Sequence, residues 1–427
     1  MLNFVVVCVT ILAGAIPGPQ DGNIRSAHLY GGEAPYGNAG SSKVVPPPEG
    51  YELFFVETIG RHGSRTATSA APENRIIKLW EKAEAQNALT ETGETLKRDI
   101  QRFQAAEKEI GYGELTTIGQ AELAGIGRRT ADNYYDFFTR AQEDGDRVEF
   151  VTSPVKRTKE SAQAMKGAIK QRFPELEFAK DQVSEKTLVI GGNPSLIGKQ
   201  HIKRLRSNEN PDAEVAAKNI LLSAYQPQFV EGIKKPIPAA LDMYEVFQRA
   251  PALRAETPVT FSNYVDPGDA ETLMKLQAGE KFYRYGPGIR GESTSYQGAK
   301  PLLKDFMKRL NQRVGGGKTA AVFRWAHGET LMPFTALTQL RSANQQEPQG
   351  GLYKEEFNPW RSWKSSLLGG SIEWAAYRNE AGKVLLTLRF NEEPSRFSKA
   401  CTPTEPDGPF YTLEEIKSCI DSPDGFE

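Results

Sequence analysis

The sequence predicts an α/β protein whose functional site lies at one edge of a sheet. Three apolar segments are typical of strands covered on both faces, and they lie at Leu53 to Val56, Val148 to Val151 and Ala320 to Trp325. Each segment runs directly into polar residues. A late β-hairpin is predicted from Ser371 to Tyr377 and Lys383 to Phe390, which flank a turn. Because ligands of α/β folds bind beyond the carboxyl ends of strands, function is expected where the three segments end.

Helical patterns alternate with these strands. They cover Ile76 to Ala85, Thr95 to Ile110, Ile118 to Phe138, Val155 to Arg172 and Ala299 to Val314. Residues 191–288 break the alternation, with helical patterns around Ala213 to Gly232 and Ala239 to Gln248 and no clear strand. We therefore predict an α/β catalytic domain at 51–190 and 289–427 and a helical insertion at 191–288 that caps the sheet.

The amino-terminal region predicts export. Residues 1–15 hold an apolar run followed by small residues, as in a signal peptide, and the Gly- and Pro-rich residues 16–50 predict an extended lead-in segment. Cleavage near residue 15 would remove Cys8 and leave Cys401 and Cys419, an even number that suits one disulfide in an oxidising compartment. Two buried free thiols are the alternative. We expect a secreted or periplasmic protein.

Composition and charge exclude some classes of partner. The chain has 427 residues, of which 39% are hydrophobic and 25% charged, and its formal net charge is -1. This is an ordinary globular composition without a global basic field, which argues against nucleic acid or an anionic membrane surface as the main partner. Histidines, cysteines and carboxylates do not cluster at metal-ligand spacing, so we predict no metal and no cofactor.

The strongest chemical signal follows the first strand, where the chain reads Arg61-His62-Gly63-Ser64-Arg65. Guanidinium groups present paired donors that match phosphoryl oxygens, and a neutral imidazole nitrogen can attack phosphorus and hold the group covalently. Gly63 lets the backbone approach a ligand closely. The motif predicts a phosphate pocket with a nucleophile in it. The alternative is a surface loop with solvated arginines and a structural histidine.

This motif resembles that of the histidine phosphatase superfamily, in its acid phosphatase and phytase branch. The segment from Thr152 to Ala162 is similar to a second family motif, which would make Arg157 a third phosphate-binding arginine. Leu115-Thr116-x-x-Gly119 is similar to a family segment that we expect to be scaffold, and Thr68 matches a family pocket position. A turn hydroxyl that bonds its own backbone is the alternative for Thr68. The resemblance implies a phosphoglycerate-mutase-like α/β sheet domain with helices on both faces.

A third motif, His327-Gly328-Glu329, follows the third strand. An imidazole beside the phosphoryl group and a carboxyl group two residues later supply charge stabilisation and a proton for the leaving oxygen. The commoner family version is His-Asp, whereas this chain resembles the multiple inositol polyphosphate phosphatase subgroup, whose motif is His-Ala-Glu. Gly328 replaces the alanine. The Phe-Tyr-Arg-Tyr-Gly-Pro-Gly segment at 282–288 and the cysteine-containing segment at 401–419 are also similar to that subgroup.

The resemblance implies a role for each of these side chains. His62 would attack the phosphoryl phosphorus, Glu329 would protonate the departing alcohol, and water would then hydrolyse the phosphohistidine. The phosphoryl oxygens would be bound by Arg61, Arg65, Arg157 and His327. The implied partner is a small phosphate ester, with inositol hexakisphosphate as the leading substrate.

Three other readings remain open from the sequence. The chain could be a general acid phosphatase or sugar phosphatase, or a phosphoryl-transferring mutase. It could also be a catalytically silent phosphate-binding protein, which would be expected to lack His62 or Glu329. The remaining histidines, His28 and His201, are expected to be solvated, although His201 lies in a basic stretch that could touch a polyphosphate.

Overall fold

The structure, a computed structural model, describes residues 27–37, 44–207, 209–340, 342–420, 422 and 425–426. The predicted signal peptide at 1–15, including Cys8, lies outside the described residues.

A mixed β-sheet forms the centre of the fold. Its strands are β1 (Tyr51–Arg61), β2 (Arg147–Thr152), β3 (Glu177–Phe178), β4 (Gln182–Val183), β5 (Thr319–Ala326), β6 (Ser371–Asn379), β7 (Val384–Phe390), β8 (Glu393–Ser395) and β9 (Tyr411–Thr412). They are ordered β3-β2-β5-β1-β6-β7-β8, with β4 also paired to β2 and β9 to β7. Strands β2, β5 and β1 are parallel, whereas β6 and β7 form an antiparallel hairpin. The three predicted strands and the late hairpin are therefore confirmed.

Helices surround this sheet. They are α1 (Ala71–Glu84), α2 (Glu91–Ile110), α3 (Thr117–Asn133), α4 (Tyr135–Glu143), α5 (Lys156–Arg172), α6 (Glu185–Leu188), α7 (Leu196–Leu205), α8 (Pro211–Ala224), α9 (Pro227–Glu231), α10 (Pro236–Arg249), α11 (Pro267–Tyr285), α12 (Lys300–Val314), α13 (Gly328–Leu337), α14 (Ser362–Ser365) and α15 (Leu413–Cys419). Short 3-10 helices lie at His28–Glu33, Ala250–Leu253 and Gln297–Ala299. No helix in the described part of the chain is long and apolar enough to cross a membrane.

Apolar residues alternate between the two faces of the sheet, so each face carries its own core. Phe55 and Val322 pack on one face with α12 and α13, whereas Val56 and Phe323 pack on the other with α3, α4 and α5. This alternation is expected because successive strand residues point to opposite faces. The predicted fold class, an α/β sheet with helices on both faces, is confirmed.

A third apolar core contains no strand residue and is formed mainly by helices. It joins α7, α8, α10 and α11, which fall within residues 191–288, to α1 and α2, which the sequence assigned to the α/β domain. The join is close, because a Cβ added to Gly93 in α2 would lie 1.9 Å from the carbonyl oxygen of Ala224 in α8. Helices α1 and α2 thus pack with α7, α8, α10 and α11, and we call these six helices the helical layer. The order of elements along the chain does not reveal this grouping.

The prediction of one continuous helix from Ile118 to Phe138 is wrong. The chain forms α3 and α4 instead, with a break at Tyr134, whose φ of -115° and ψ of 34° are not helical. The buried Tyr134 hydroxyl donates a hydrogen bond to Glu373 on β6. A buried phenol needs such a partner, and reaching it interrupts the helix.

The prediction that the lead-in segment is extended is also wrong for part of it, because His28–Glu33 forms a 3-10 helix. Leu29 is buried in the helical core, and its carbonyl accepts a hydrogen bond of 2.7 Å from the Tyr244 hydroxyl on α10. Gly31 has a φ of 54°, a conformation that favours glycine. Burial of one apolar side chain thus folds a segment that its Gly and Pro content predicts to be extended.

Cys401 and Cys419 form a disulfide, which confirms the predicted pairing over two free thiols. The bond closes a loop with a sequence separation of 18 and ties α15 to the chain that follows β8. Replacing both cysteines with serine is expected to lower the free energy of unfolding by about 3 kcal/mol, because the unfolded chain regains the entropy of the open loop. Urea unfolding monitored by circular dichroism would measure the loss. Wild-type protein treated with a reductant should show the same loss, and unchanged stability in both samples would contradict this account.

Candidate active site

The three sequence motifs meet at one edge of the sheet because the strands that precede them are parallel and aligned. Arg61 at the end of β1 lies opposite Ala326 at the end of β5. Thr152 at the end of β2 lies opposite Trp325, one residue earlier in β5. The motif segments therefore leave the sheet side by side, as the sequence predicts.

His62 is held by the backbone on both sides and is only 2% exposed. Its N–H donates to the Ala326 carbonyl at 3.0 Å, and its own carbonyl accepts from the Gly369 N–H at 3.1 Å. The ring Nδ1 lies 2.9 Å from the Gly63 carbonyl oxygen. A carbonyl only accepts, so Nδ1 carries the ring proton and Nε2 keeps its lone pair. The ring is thus fixed in the tautomer that a nitrogen nucleophile requires.

The electrostatic surroundings keep this imidazole neutral. Burial lowers the pKa of His62 well below its usual range, and the positive charges of Arg61, Arg157 and Arg65 lower it further. A neutral nucleophile beside three cations suits attack on an anionic group. The His327 ring also lies beside His62, with 5.6 Å between the two ring centroids.

The turn that carries His62 packs directly on the start of α3. A Cβ on Gly63 would lie 2.6 Å from the Gly119 carbonyl oxygen, and one on Gly119 would lie 2.1 Å from the Ser64 carbonyl oxygen. Thr116, which caps α3, donates its N–H to the same Ser64 carbonyl at 3.0 Å. The Leu115-Thr116-x-x-Gly119 segment is therefore in contact with the turn that carries His62, the position expected of a scaffold.

Arg61 is clamped by backbone and carboxylate oxygens. Its Nη1 donates to the carbonyls of Gly32 and Ser366, and its Nη2 donates to Glu33 at 2.6 Å. The side chain is almost wholly buried. These contacts fix the plane of the guanidinium group.

Each of the three predicted phosphate-binding arginines keeps a buried Nε donor without a partner among the described residues. Arg65 uses Nη1 to donate to its neighbour's carbonyl at 2.7 Å, and Arg157 Nη2 lies 3.3 Å from His327 Nδ1. The Nε atoms of Arg61, Arg65 and Arg157 are buried and have no hydrogen-bond partner among the described residues. Buried polar groups normally find partners, so three orphaned cationic donors define an anion site. Burial, followed by the charges of Arg65 and Arg61, lowers the pKa of Arg157 to about 10, and it remains a cation at physiological pH.

His327 bridges the second and third motifs. Its Nε2 lies 2.9 Å from the Ser153 hydroxyl. Because the guanidinium of Arg157 can only donate, Nδ1 accepts and the ring proton lies on Nε2. Burial, and then the charge of Arg157, lower the pKa of His327 to about 4. His327 is therefore a neutral ring in the free site rather than a cation.

Glu329 lies in the first turn of α13 with its side chain exposed. Its surroundings act in opposite directions, because desolvation raises its pKa while the charge of Arg61 and backbone hydrogen bonding lower it, with a net lowering. Gly328 precedes it at the helix start, where a Cβ would lie 3.0 Å from the Ser366 Cβ and 3.5 Å from Arg61 Nε. The carboxylate thus stands at the site as an anion whose charge state depends on its neighbours.

Three further residues were singled out by the sequence analysis, namely Thr68, His201 and His28. Thr68 is exposed on the turn before α1, and no hydrogen bond joins it to another described residue, so its phosphate-binding role stays a prediction. The expectation that His201 is solvated is wrong, since it is 4% exposed, packs 5.0 Å from the Tyr283 ring and bonds the Gln349 carbonyl at 3.0 Å. Its place on the inner face of α7 buries it. His28 is half-buried.

Two charged residues of the site escape sequence analysis. Glu33 reaches Arg61 and Arg65 from the lead-in segment, which carries no motif. Lys281 on α11 is half-buried, and burial lowers its pKa, on which the charges of Glu33, Arg61 and Glu329 also act. Lys281 directly precedes the recognised 282–288 segment, which is the one signal that could have indicated it. Groups of His, Cys, Asp and Glu that could hold a metal ion are absent from the described part of the chain.

The family description "Histidine phosphatase superfamily (branch 2)" matches residues 52–368. This match covers most of the chain, and the protein belongs to that family. The predicted enzyme class, a phosphoric monoester hydrolase, is thereby confirmed. No curated protein sequence shows a significant match to the chain.

Solved structures of the same fold include inositol phosphate enzymes. The multiple inositol polyphosphate phosphatase of Bifidobacterium longum, crystallised with inositol hexasulfate, has a TM-score of 0.87 at 23% identity, over 93% of this chain and 98% of that chain. The phytase of D. castellii has a TM-score of 0.63 at 15% identity, over 92% and 84%. The phytase of Hafnia alvei, crystallised with myo-inositol hexakis sulphate, has a TM-score of 0.53 at 11% identity, over 89% and 98%. At these identities the similarities establish the fold.

Proposed function

We propose that this protein is a secreted phosphomonoesterase that hydrolyses inositol polyphosphates, inositol hexakisphosphate foremost, through a phosphohistidine on His62. The observation that carries the proposal is the set of three buried, unpartnered Nε donors of Arg61, Arg65 and Arg157 around a neutral imidazole. Such donors can bind the oxygens of a phosphoryl group while the Nε2 lone pair of His62 attacks its phosphorus.

The reaction divides into two displacements at phosphorus. In the first, the Nε2 lone pair of His62 forms a bond to phosphorus while the ester P–O bond breaks, and the departing oxygen takes a proton from Glu329. In the second, water attacks the phosphohistidine, Glu329 takes a proton from that water, and the P–N bond breaks to release inorganic phosphate and neutral His62. The guanidinium groups stabilise the charge that builds on the equatorial oxygens in both steps.

Proton donation requires that Glu329 be protonated when the ester is bound. In the free site the cations around it lower its pKa. A phosphate dianion on the same arginines offsets their charge and adds a negative charge of its own, and both changes raise the pKa of a nearby carboxyl group. Substrate binding is therefore the event that prepares Glu329 as an acid.

The charge of the site favours a polyanionic substrate. Besides the three arginines, Lys281 on α11 is close enough for the charges of Glu33, Arg61 and Glu329 to act on its pKa, which burial lowers. An ester with several phosphates can use such additional cations, whereas a simple phosphate ester uses only the central pocket. The solved relatives named above include inositol polyphosphate phosphatases and phytases, which supports the same substrate class. The disulfide supports export, because such bonds persist in oxidising compartments.

Timed product analysis tests reaction and substrate together. The protein is incubated with inositol hexakisphosphate or with glucose 1-phosphate, in separate reactions without added metal, and the products are resolved by ion chromatography. We expect successive lower inositol phosphates and a slower release of phosphate from the sugar ester. Faster turnover of the sugar ester would favour a general phosphatase, and tight phosphate binding without turnover of either ester would show a silent binding protein.

The lowered pKa of His62 predicts activity in acid. The nucleophile is the neutral ring, and a lowered pKa keeps it neutral at pH values where an ordinary imidazole, with a pKa of about 6.5, is protonated and inert. We expect kcat/KM for p-nitrophenyl phosphate to hold as the pH falls through that value and to decline only well below it. A pH profile at constant ionic strength measures this, and an acid limb centred on an ordinary histidine pKa would contradict the assignment.

A further inference from the structure

The lead-in segment places a carboxylate against two of the phosphate-binding arginines. Glu33 Oε1 lies 2.6 Å from Arg61 Nη2, and Glu33 Oε2 lies 3.5 Å from Arg65 Nη2. The Glu33 side chain is 19% exposed, and those of Arg61 and Arg65 are 7% and 16% exposed. One carboxylate thus bridges two guanidinium groups in a sheltered position, where ion pairs are screened less than at the surface.

The segment that carries Glu33 is fixed to both layers of the protein. Tyr244 of α10 donates to the Leu29 carbonyl at 2.7 Å, and the Tyr36 N–H donates to Glu122 of α3 at 2.7 Å. Between these anchors, Gly32 approaches so closely that its carbonyl accepts from Arg61 Nη1, and a Cβ there would lie 2.5 Å from the Ser366 hydroxyl. The position of Glu33 is therefore set by the fold.

We propose that Glu33 is a positioning residue for phosphoryl transfer: its bridging carboxylate orients Arg61 and Arg65 so that their free Nε donors face the group on His62. This proposal rests on the function proposed above. Glu33 engages only Nη atoms, which leaves the Nε of both arginines for the substrate. Planar guanidinium groups offer strong hydrogen bonds only in the correct orientation, and transfer is sensitive to small misplacements of the groups that stabilise charge.

The same carboxylate has a second consequence, because its negative charge stands beside the anion pocket. It offsets part of the positive charge of Arg61 and Arg65 and so weakens the hold on a bound phosphate, including the product. The orienting effect and the charge of Glu33 therefore influence two different measured quantities, the kcat and the affinity for inorganic phosphate. Loss of orientation lowers kcat, whereas loss of the negative charge tightens the binding of inorganic phosphate.

Two substitutions separate these effects. Glu33→Gln keeps the shape and one acceptor oxygen but removes the charge. We expect a kcat for inositol hexakisphosphate about 10- to 100-fold lower, as for the loss of a charged hydrogen bond, together with several-fold tighter binding of inorganic phosphate. Glu33→Asp keeps the charge but shortens the reach by one methylene group. It should lower kcat while phosphate binding stays near the wild-type value.

The measurements are steady-state kinetics and titration calorimetry with inorganic phosphate, with melting temperatures to show that each variant is folded. Glu49→Gln, the same change at an exposed carboxylate at the far end of the lead-in segment, should match the wild type in every readout. A kcat within twofold of the wild type in both Glu33 variants would overturn the proposal, as would a higher kcat, which would show a carboxylate that blocks the pocket. Weaker phosphate binding by Glu33→Gln would also overturn it. If the wild type released no phosphate from any ester, the proposed function itself would fail, and calorimetry would still report on Glu33.

Discussion

Replacing His62 with alanine is expected to abolish phosphate release from inositol hexakisphosphate and from p-nitrophenyl phosphate alike. In the proposed mechanism the ring supplies the atom that bonds phosphorus, through the Nε2 lone pair that the contact between Nδ1 and the Gly63 carbonyl leaves free. Loss of a covalent nucleophile commonly costs several orders of magnitude in kcat. The measurement is a steady-state assay, accompanied by alkaline-quench trapping of phosphate on the protein from a radiolabelled ester, because the P–N bond of phosphohistidine survives in alkali and is lost in acid.

A second histidine of the same site provides the comparison. His327→Ala also removes a buried imidazole but leaves the nucleophile in place, so it should lower the rate and still form an acid-labile phosphoprotein. Label that persists on the His62→Ala protein would place the nucleophile elsewhere. Melting temperatures near the wild-type value are required of both variants, because each substitution leaves a small cavity.

Replacing Glu329 with glutamine is expected to have an effect that depends on the leaving group. An inositol alkoxide is a strong base and needs a proton as it departs, whereas p-nitrophenolate leaves readily without one. General acid catalysis is typically worth about 100- to 10,000-fold, so kcat for inositol hexakisphosphate should fall by that range. Cleavage of p-nitrophenyl phosphate should fall far less.

The two substrates are each other's control, because they share the pocket and differ in the departing group. Equal losses with both would show that Glu329 binds or positions rather than donates a proton. Glutamine keeps the size of the side chain at the first turn of α13, so the close packing of Gly328 against Ser366 is preserved.

The sequence predicts where the candidate site lies because its motifs are local and follow strand ends. Apolar strands covered on both faces are visible as continuous runs, and parallel strands bring their ends together without any knowledge of side-chain contacts. His62, Arg157 and His327 could therefore be placed at one site from three short segments. The hydrogen bonds that fix the tautomers of the His62 and His327 rings are visible only in the structure.

What the sequence misses depends on contacts between distant residues. Tyr134 breaks a helical pattern because its hydroxyl pairs with Glu373, 239 positions away. Glu33 lies in a segment without a motif, and only the folded chain shows that it meets Arg61. The packing of α1 and α2 with the later helices is likewise hidden, because periodicity shows which face is buried but not what covers it.

The apolar core that α1 and α2 share with the later helices limits which segments can be exchanged with a relative. The aligned ends of β1, β2 and β5 set the positions of His62 and of the segments that carry the arginines. The helical insertion at 191–288 can therefore differ in length and charge without moving those strand ends. A graft of residues 191–288 from a relative would nevertheless leave Trp80 and Phe103 facing foreign side chains. A chimera that aims to change substrate preference must therefore exchange α1 and α2 together with the helical insertion at 191–288.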